Sequence, residues 1–139
     1  FYAVTARNPP RQFLQRAIEA ASAAGLSGGQ AIDVGAGGGR GTRQLLDAGF
    51  KVHAIDPDPA SVLHLLAQVP LEQIGQLTLG AGSATEQALP PSDFVWAGLS
   101  LPYLAAGDFA LAWRRIDQAI EPGGWFAGDF FGPRHHAAK

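Results

Sequence analysis

The sequence predicts an α/β fold with a doubly wound, mostly parallel sheet. Short apolar runs alternate with helical patterns along the whole chain, which is typical of parallel strands joined by helices. A glycine-dense turn, residues 35–39, separates the first apolar run from a helical stretch, and the second apolar run ends on Asp56. Strand, glycine loop, helix and strand ending in an acid form the layout of a nucleotide-binding βαβ unit. A chain of 139 residues is expected to form one domain.

Each element is predicted from its local pattern. Pro9-Pro10 favours a helix start, because the fixed φ and missing N–H of proline are tolerated in a first turn. Gly25 favours the end of that helix, and Pro70 ends a later one. In chain order we predict helix 11–24, strand 31–34, helix 40–48, strand 52–55, helix 59–69, strand 77–79, a loop or short helix over 80–89, strand 93–97, helix 107–120, a turn at 122–124 and strand 125–131.

Composition argues against several classes of function. The net charge of −2 gives no electrostatic footprint for nucleic acid or an anionic membrane, and Arg114-Arg115 is predicted to lie on a solvated helix face. The absence of cysteine excludes disulfides and cysteine-based zinc sites and fits a reducing cytoplasm, and no metal site is predicted. No apolar run is long enough to span a bilayer. The chain starts at Phe1 and contains no methionine, so we expect its natural start to be missing.

The glycine loop distinguishes between nucleotide classes. A phosphate-binding NTPase loop ends in Gly-Lys-Ser/Thr, whereas Arg40-Gly41-Thr42 follows Gly39 here. The NAD fingerprint needs a third glycine at the position of Arg40, so an NAD(P)-dependent oxidoreductase is a less favoured alternative. What the sequence contains is an acid two residues before the first glycine, followed by alternate glycines: Asp33-Val34-Gly35-Ala36-Gly37-Gly38-Gly39.

This loop resembles the first motif of the class I S-adenosylmethionine (SAM) methyltransferases, (D/E)-x-G-x-G-x-G. The resemblance implies a Rossmann-like sheet, SAM as cofactor and S-adenosylhomocysteine as product. It implies that Asp33 holds the methionine ammonium, that Asp56 accepts hydrogen bonds from the ribose hydroxyls and that Pro57 lies near the adenine. Asp58 is predicted to cap the helix that begins at Pro59. The cofactor-binding residues so implied are Asp33, Gly35, Ala36, Gly37, Gly39, Asp56, Pro57, Ser83, Ala84 and Ala97.

The later members of that set come from two further motifs. Gly82-Ser83-Ala84 is similar to the Gly-Asp-Ala of the family, in which the acid contacts the adenine amino group; Ser83 takes its place, and Glu86 is a second candidate. The resemblance implies that the backbone N–H of Ala84 donates to an adenine ring nitrogen. It also implies that the carbonyl of Ala97 accepts from the methionine ammonium. Tyr103, in the loop after the fourth strand, is the candidate catalytic residue that lines the acceptor site.

More narrowly, the chain resembles the tellurite-resistance-type small bacterial methyltransferases. The family sheet has seven strands, so a chain with five is expected to lack the last two and to be a single methyltransferase-like domain, 1–139, truncated at both ends. The resemblance implies a small-molecule or metalloid acceptor. A non-catalytic SAM-binding or scaffold module is the alternative, and the oligomeric state is left open. The short motifs that carry this narrower resemblance are Tyr2 with Arg7-Asn8-Pro9-Pro10, Leu99-Ser100-Leu101-Pro102-Tyr103, Trp113-Arg114-Arg115-Ile116 and Gly128-Asp129-Phe130-Phe131-Gly132.

Overall fold

The computed structural model describes residues 12–98 and 104–128, which build a five-stranded parallel sheet with helices on both faces. The strands lie in the order β3-β2-β1-β4-β5. This arrangement confirms the predicted doubly wound α/β fold. The elements are α1 (Gln12–Ala23), β1 (Gln30–Val34), α2 (Arg40–Asp47), β2 (Lys51–Asp56), α3 (Pro59–Gln68), α4 (Leu71–Ile74), β3 (Leu77–Ala81), β4 (Ser92–Ala97), α5 (Ala106–Ala119) and β5 (Ile120–Gly128).

The strand order places a switch point between β1 and β4. From β1 the chain moves outward through β2 to β3, and then returns to the other side of β1 for β4 and β5. Connections that leave two neighbouring strands in opposite directions open a crevice at their carboxyl ends, where ligands bind in open α/β sheets. Asp33 pairs with Ala54 on one side and with Trp96 on the other, so it lies beside this crevice.

Strand alternation divides the buried side chains into two cores. One face of the sheet packs against α1, α2 and α3 through buried residues such as Leu14, Leu45 and Leu65. The opposite face packs against α5 through Ala112, Ile116 and Ala119. Since successive side chains of a strand point to opposite faces, Asp33 and Trp96 lie on the α1–α3 side. The helix N-terminal to the glycine loop therefore packs over the same face as the candidate acid.

Helix ends agree with the capping signals. Gly25 follows α1 with a φ of 84°, a left-handed conformation that favours glycine at a helix end. Asp58 accepts a hydrogen bond from the backbone N–H of Ala60 at 3.0 Å, and Pro59 occupies the first turn of α3. The predicted cap at Asp58 is confirmed.

One prediction in this part of the chain needs correction. Pro70 ends α3 as predicted, and residues 71–74, for which no element was predicted, form the short helix α4. The turn predicted at 122–124 lies inside β5, which begins at Ile120. Ser92 pairs with Ile120 and Phe94 with Trp125, so the intervening residues form an irregularity in the ladder, in which Gly123 has a φ of 83°. Pairing on both sides of this insertion is what keeps it within the strand.

Candidate functional site

The glycine loop adopts a backbone conformation that demands its alternate glycines. Gly35, Gly37 and Gly39 have φ values of 72°, 54° and 87°, a region that residues with a Cβ rarely occupy. The N–H groups of Gly35 and Ala36 both donate to the carbonyl of Ile55 at 2.9 Å. These bonds fasten the loop to the end of β2, so the loop and Asp56 share one end of the sheet.

Asp56 links the glycine loop to the turn that follows β2. Its Oδ2 accepts from the backbone N–H of Gly37 at 2.9 Å, and its Oδ1 accepts from the N–H of Asp58 at 2.9 Å. The residue is buried, with 8% of its surface exposed. A carboxylate accepts about four hydrogen bonds, so these two contacts leave acceptor capacity on both oxygens. Pro57, the next residue, is exposed beside it.

Asp33 is buried at the carboxyl half of β1 and is held by the helix after the loop. Its Oδ2 accepts from the Thr42 hydroxyl at 2.6 Å, and Thr42 is itself fully buried in the first turn of α2. The sequence interpretation missed Thr42 as a site residue. Thr42 lies in the first helical turn after the glycine loop, on the side of the sheet that carries Asp33. This position is the signal that could have identified it.

Trp96 lies beside Asp33 and was also missed as a site residue. A Cβ on Gly41 would lie 2.9 Å from the indole Nε1, so the absence of a side chain at Gly41 lets the ring approach the start of α2. Phe13 of α1 packs on the same indole with ring centroids 6.0 Å apart, and Phe13 remains partly exposed. One aromatic side chain of β4 therefore lies next to the acid, with Phe13 of α1 packed against it.

The 82–87 loop, which follows β3, comes next to Asp56. The N–H of Gly82 donates to the carbonyl of Asp56 at 2.9 Å. Ser83 accepts from the N–H of Thr85 at 3.2 Å, while its own N–H donates to Oε1 of Glu86 at 3.1 Å. The Ser83 hydroxyl and the Glu86 carboxylate thus both bond to the backbone of a short turn that no helix continues. One oxygen of Glu86, the second candidate for the adenine amino group, is therefore engaged within its own loop.

Arg115 corrects the prediction of a solvated arginine pair. Its Nε donates to the carbonyl of Ala84 at 2.8 Å, and its terminal nitrogen donates to the carbonyl of Gln87. Ala84 is buried, and Arg115 is half-buried, whereas Arg114 is exposed as predicted. The difference follows from the position of α5, which lies against the sheet with one arginine facing the 82–87 loop and the other facing solvent.

Two further predicted site residues remain, and Ala97 pairs with Val34 next to the glycine loop. Ala97 is fully buried at the end of β4, and its carbonyl oxygen lies 2.8 Å from the point where a Cβ on Gly128 would stand, on the β5 side of the strand. Tyr103 lies outside the described residues. The structure thus brings together the glycine loop, Asp56, and Gly82 with Ser83, and it connects Asp33 to the start of α2.

Within residues 12–98 and 104–128, no three side chains of the metal-binding types come close enough to hold an ion. In the same residues, no helix has both the length and the apolar character needed to cross a bilayer.

Comparison with known proteins identifies the family. A family model described as "methyltransferase domain" matches residues 32–126, which include the glycine loop, Asp56 and the 82–87 loop. A search of curated proteins finds no significant match.

Solved structures supply the fold relatives. The glycopeptide N-methyltransferase MtfA is 26% identical with a TM-score of 0.70, over 84% of this chain and 53% of that one. The 1,6-didemethyltoxoflavin-N1-methyltransferase of Burkholderia thailandensis is 23% identical with a TM-score of 0.67, over 84% and 51% of the two chains. An S-adenosylmethionine-dependent methyltransferase from Clostridium acetobutylicum is 17% identical with a TM-score of 0.77, over 91% and 52%. The chain spans about half the length of these structures.

The match of the family model covers well over half of the chain, and the parallel sheet is shared with methyltransferases of known structure. This protein therefore belongs to the methyltransferase domain family, with the class I fold that its first motif predicted.

Proposed function

We propose that this domain binds SAM and forms part of an enzyme that transfers the methyl group to a small molecule. The observation that carries the proposal is the convergence of the glycine loop, Asp56 and the 82–87 loop at one end of the sheet, linked by the Gly37–Asp56 and Gly82–Asp56 hydrogen bonds. Further support comes from MtfA, which was solved with SAM, with S-adenosylhomocysteine and with sinefungin.

The site residues fit the chemical groups of the cofactor. Asp56 retains acceptor capacity on both oxygens, which suits the two hydroxyls of a ribose. Gly35 and Gly37 carry no Cβ and Ala36 only a methyl group, so a ligand can come close to the backbone of the loop. Gly39 is needed for the packing of Leu65 against the loop. We assign Asp33, oriented by Thr42, to the methionine end.

The base end of the cofactor is assigned to Ser83 and Ala84, with Pro57 beside them. Ser83 presents a hydroxyl in place of a carboxylate, so its contact with an adenine amino group is a neutral hydrogen bond. The Ala97 carbonyl, at the end of β4, completes the proposed cofactor contacts near the transferable methyl group. Tyr103 is proposed to line the acceptor pocket after β4.

The chemistry requires positioning more than covalent help from the protein. Bound SAM supplies an electrophilic methyl on a sulfonium, which an acceptor atom attacks in line while the carbon–sulfur bond breaks. Holding the two reactants in that alignment contributes much of the rate acceleration. The buried ring of Trp96 beside Asp33 helps to keep water away from this carboxylate.

The acceptor is proposed as a small molecule. Two of the similar structures are methyltransferases named for small acceptors, a glycopeptide and 1,6-didemethyltoxoflavin. The tellurite-resistance-type resemblance extends the proposal to metalloid oxyanions, which carry an unprotonated lone pair and need no general base. Several of the motifs behind that resemblance lie outside the described residues.

Calorimetric titration with S-adenosylhomocysteine tests cofactor binding directly. We expect saturable binding, with no thermal stabilisation by NADH. Absence of binding at millimolar ligand would refute the proposal. Transfer of labelled methyl from SAM across a panel of small amines, phenols and metalloid oxyanions then tests catalysis.

A non-catalytic cofactor-binding module is the second candidate function. Ser83 in place of the acid favours it. Binding of S-adenosylhomocysteine without transfer to any acceptor in the panel would support this candidate, and measurable transfer would exclude it.

A further inference from the structure

Arg115 reaches from α5 to both ends of the turn in the 82–87 loop. Its Nε donates to the Ala84 carbonyl at 2.8 Å, and its terminal nitrogen donates to the Gln87 carbonyl. A guanidinium presents its donors in a fixed plane, so it can hold two carbonyls in one relative position, which a lysine ammonium cannot do. Charge-assisted bonds of this kind are also among the stronger hydrogen bonds in proteins.

The same loop is fixed on its other side by Gln87. A Cβ added to Gly80 or Gly82 would lie 2.4 Å or 2.5 Å from the Gln87 side chain, so this side chain covers both glycines. Its Nε2 donates to the Ala81 carbonyl at 3.3 Å. Gln87 is therefore held twice, by Arg115 at its backbone carbonyl and by its own side chain at Ala81.

Both side-chain contacts of Arg115 are with the backbone of the loop, which gives the residue a positioning role. Its donors reach backbone carbonyls of the loop from the α5 side, whereas Asp56 meets the loop at Gly82. The groups assigned to the base, the Ser83 hydroxyl and the Ala84 N–H, lie between these two attachments. A displacement of the loop by about an ångström would misplace both groups, because hydrogen bonds weaken steeply with distance and angle.

We propose that Arg115 is a positioning residue that sets the discrimination of the cofactor base by clamping the 82–87 loop. The inference rests on the proposed function, in which Ser83 and Ala84 meet the adenine. The recognised chemistry is the amino group and the unprotonated ring nitrogen of an adenine. A hypoxanthine ring has a carbonyl, to which the Ser83 hydroxyl can also donate, but its protonated ring nitrogen would face the donor N–H of Ala84, so a correctly placed loop rejects it at that contact.

The test compares two ligands against three variants in calorimetric titrations. S-Adenosylhomocysteine and S-inosylhomocysteine differ only at the base. Arg115→Met keeps an apolar stem without donors, Arg115→Lys keeps the charge, and Arg114→Gln is the matched control at the neighbouring exposed arginine. We expect wild type and Arg114→Gln to prefer the adenosyl ligand by at least about tenfold, as a site built to hydrogen-bond its ligand does. Arg115→Met should lose most of this preference, and Arg115→Lys should be intermediate.

A merely structural role of Arg115 predicts a different result. If the Arg115→Met substitution weakens both ligands by the same factor, or leaves the preference unchanged, the proposal is wrong.

Hydrogen exchange separates this outcome from failure of the proposed function. The N–H groups of Glu86 and Gln87 donate to the Ser83 carbonyl at 3.1 and 2.9 Å, and they should exchange faster in Arg115→Met than in Arg114→Gln. Unchanged exchange rates would overturn the clamp whether or not a ligand binds. If exchange is faster in Arg115→Met but the wild-type protein binds neither ligand, the cofactor assignment is refuted. The role of Arg115 in base discrimination is then refuted too, although Arg115 still fixes the loop.

Discussion

Asp56→Asn removes a carboxylate that joins two segments of the backbone by hydrogen bonds and is proposed to bind the cofactor. The side chain accepts from the N–H groups of Gly37 and Asp58, each at 2.9 Å. Hydrogen bonds to a charged group contribute about 1.5–3 kcal/mol each, and asparagine keeps only one carbonyl acceptor. We expect the variant to lose about 1–3 kcal/mol of unfolding free energy, since one of the two backbone donors loses its partner. Chemical denaturation in urea measures this loss.

The ligand effect must be separated from the structural one. If Asp56 accepts from a ribose hydroxyl, loss of one charge-assisted bond should weaken S-adenosylhomocysteine by about 1.5–3 kcal/mol, or roughly tenfold to more than a hundredfold. The same substitution should matter little for a cofactor analogue that lacks both ribose hydroxyls. Titrating wild type and Asp56→Asn with each of the two ligands gives a coupling energy between Asp56 and the ribose hydroxyls. Changes in the loop that affect both ligands equally cancel in this energy.

Asp93→Asn is a matched control at the opposite end of the sheet. Asp93 accepts from the N–H of Gln30 at 3.2 Å, so its substitution also perturbs a strand contact without touching the crevice. We expect it to leave the ligand coupling at zero. A coupling energy below about 0.5 kcal/mol for Asp56→Asn would refute the ribose assignment, since independent sites add within that margin.

Three further predictions concern the scaffold of the site. Thr42→Val removes the hydroxyl that donates to buried Asp33 at 2.6 Å, so urea denaturation should show a loss of about 1–3 kcal/mol of unfolding free energy. Thr42→Ser keeps the hydroxyl and should lose much less, and equal stability of the two variants would contradict this. Burial lowers the pKa of His53 below its ordinary value of 6.5, against a smaller opposing contribution from the backbone of Ala88. As pH falls below about 6.5, the unfolded chain therefore binds more protons at His53 than the folded protein does, and the unfolding free energy of the wild type should decline. It should decline less in His53→Gln, and parallel pH profiles of the two proteins would exclude this role. Gly39→Ala would place a Cβ 2.3 Å from Leu65 Cδ1 at a φ of 87°, whereas Gly25→Ala meets only open space at a φ of 84°. Both should lose about 1–2 kcal/mol to the left-handed backbone, and Gly39→Ala should lose more; equal thermal unfolding temperatures would refute the packing argument.

Local patterns were sufficient for the elements and for the loop. Apolar runs bounded by proline and glycine predicted the five strands, because a strand buried between two helical layers has to be apolar on both faces. Asp33 with alternate glycines predicted a tight loop, and the positive φ of Gly35, Gly37 and Gly39 explains why glycine occurs at those positions. These are properties of single residues and of the neighbours they have in sequence.

Tertiary structure decided what the side chains do to one another. Neither the contact of Arg115 with Ala84 nor that of Gln44 with Gln15 is visible in a pattern, since each joins residues about thirty positions apart. The prediction that Arg115 is solvated failed because the exposure of a helical residue depends on which loop the packed helix approaches. Glu86 was read as a ligand candidate, but its bond to the N–H of Ser83 depends on how the loop turns.

The sequence by itself determined the fold class, the glycine loop and the acids at the ends of β1 and β2, because backbone conformation and hydrophobic alternation are encoded locally. The tertiary structure decided the strand order and three contacts of the site. These are the bond of Asp56 to the glycine loop, that of Thr42 to Asp33, and those of Arg115 to the 82–87 loop. Such contacts depend on distances between elements, and those distances are set by the packing of both faces of the sheet at once.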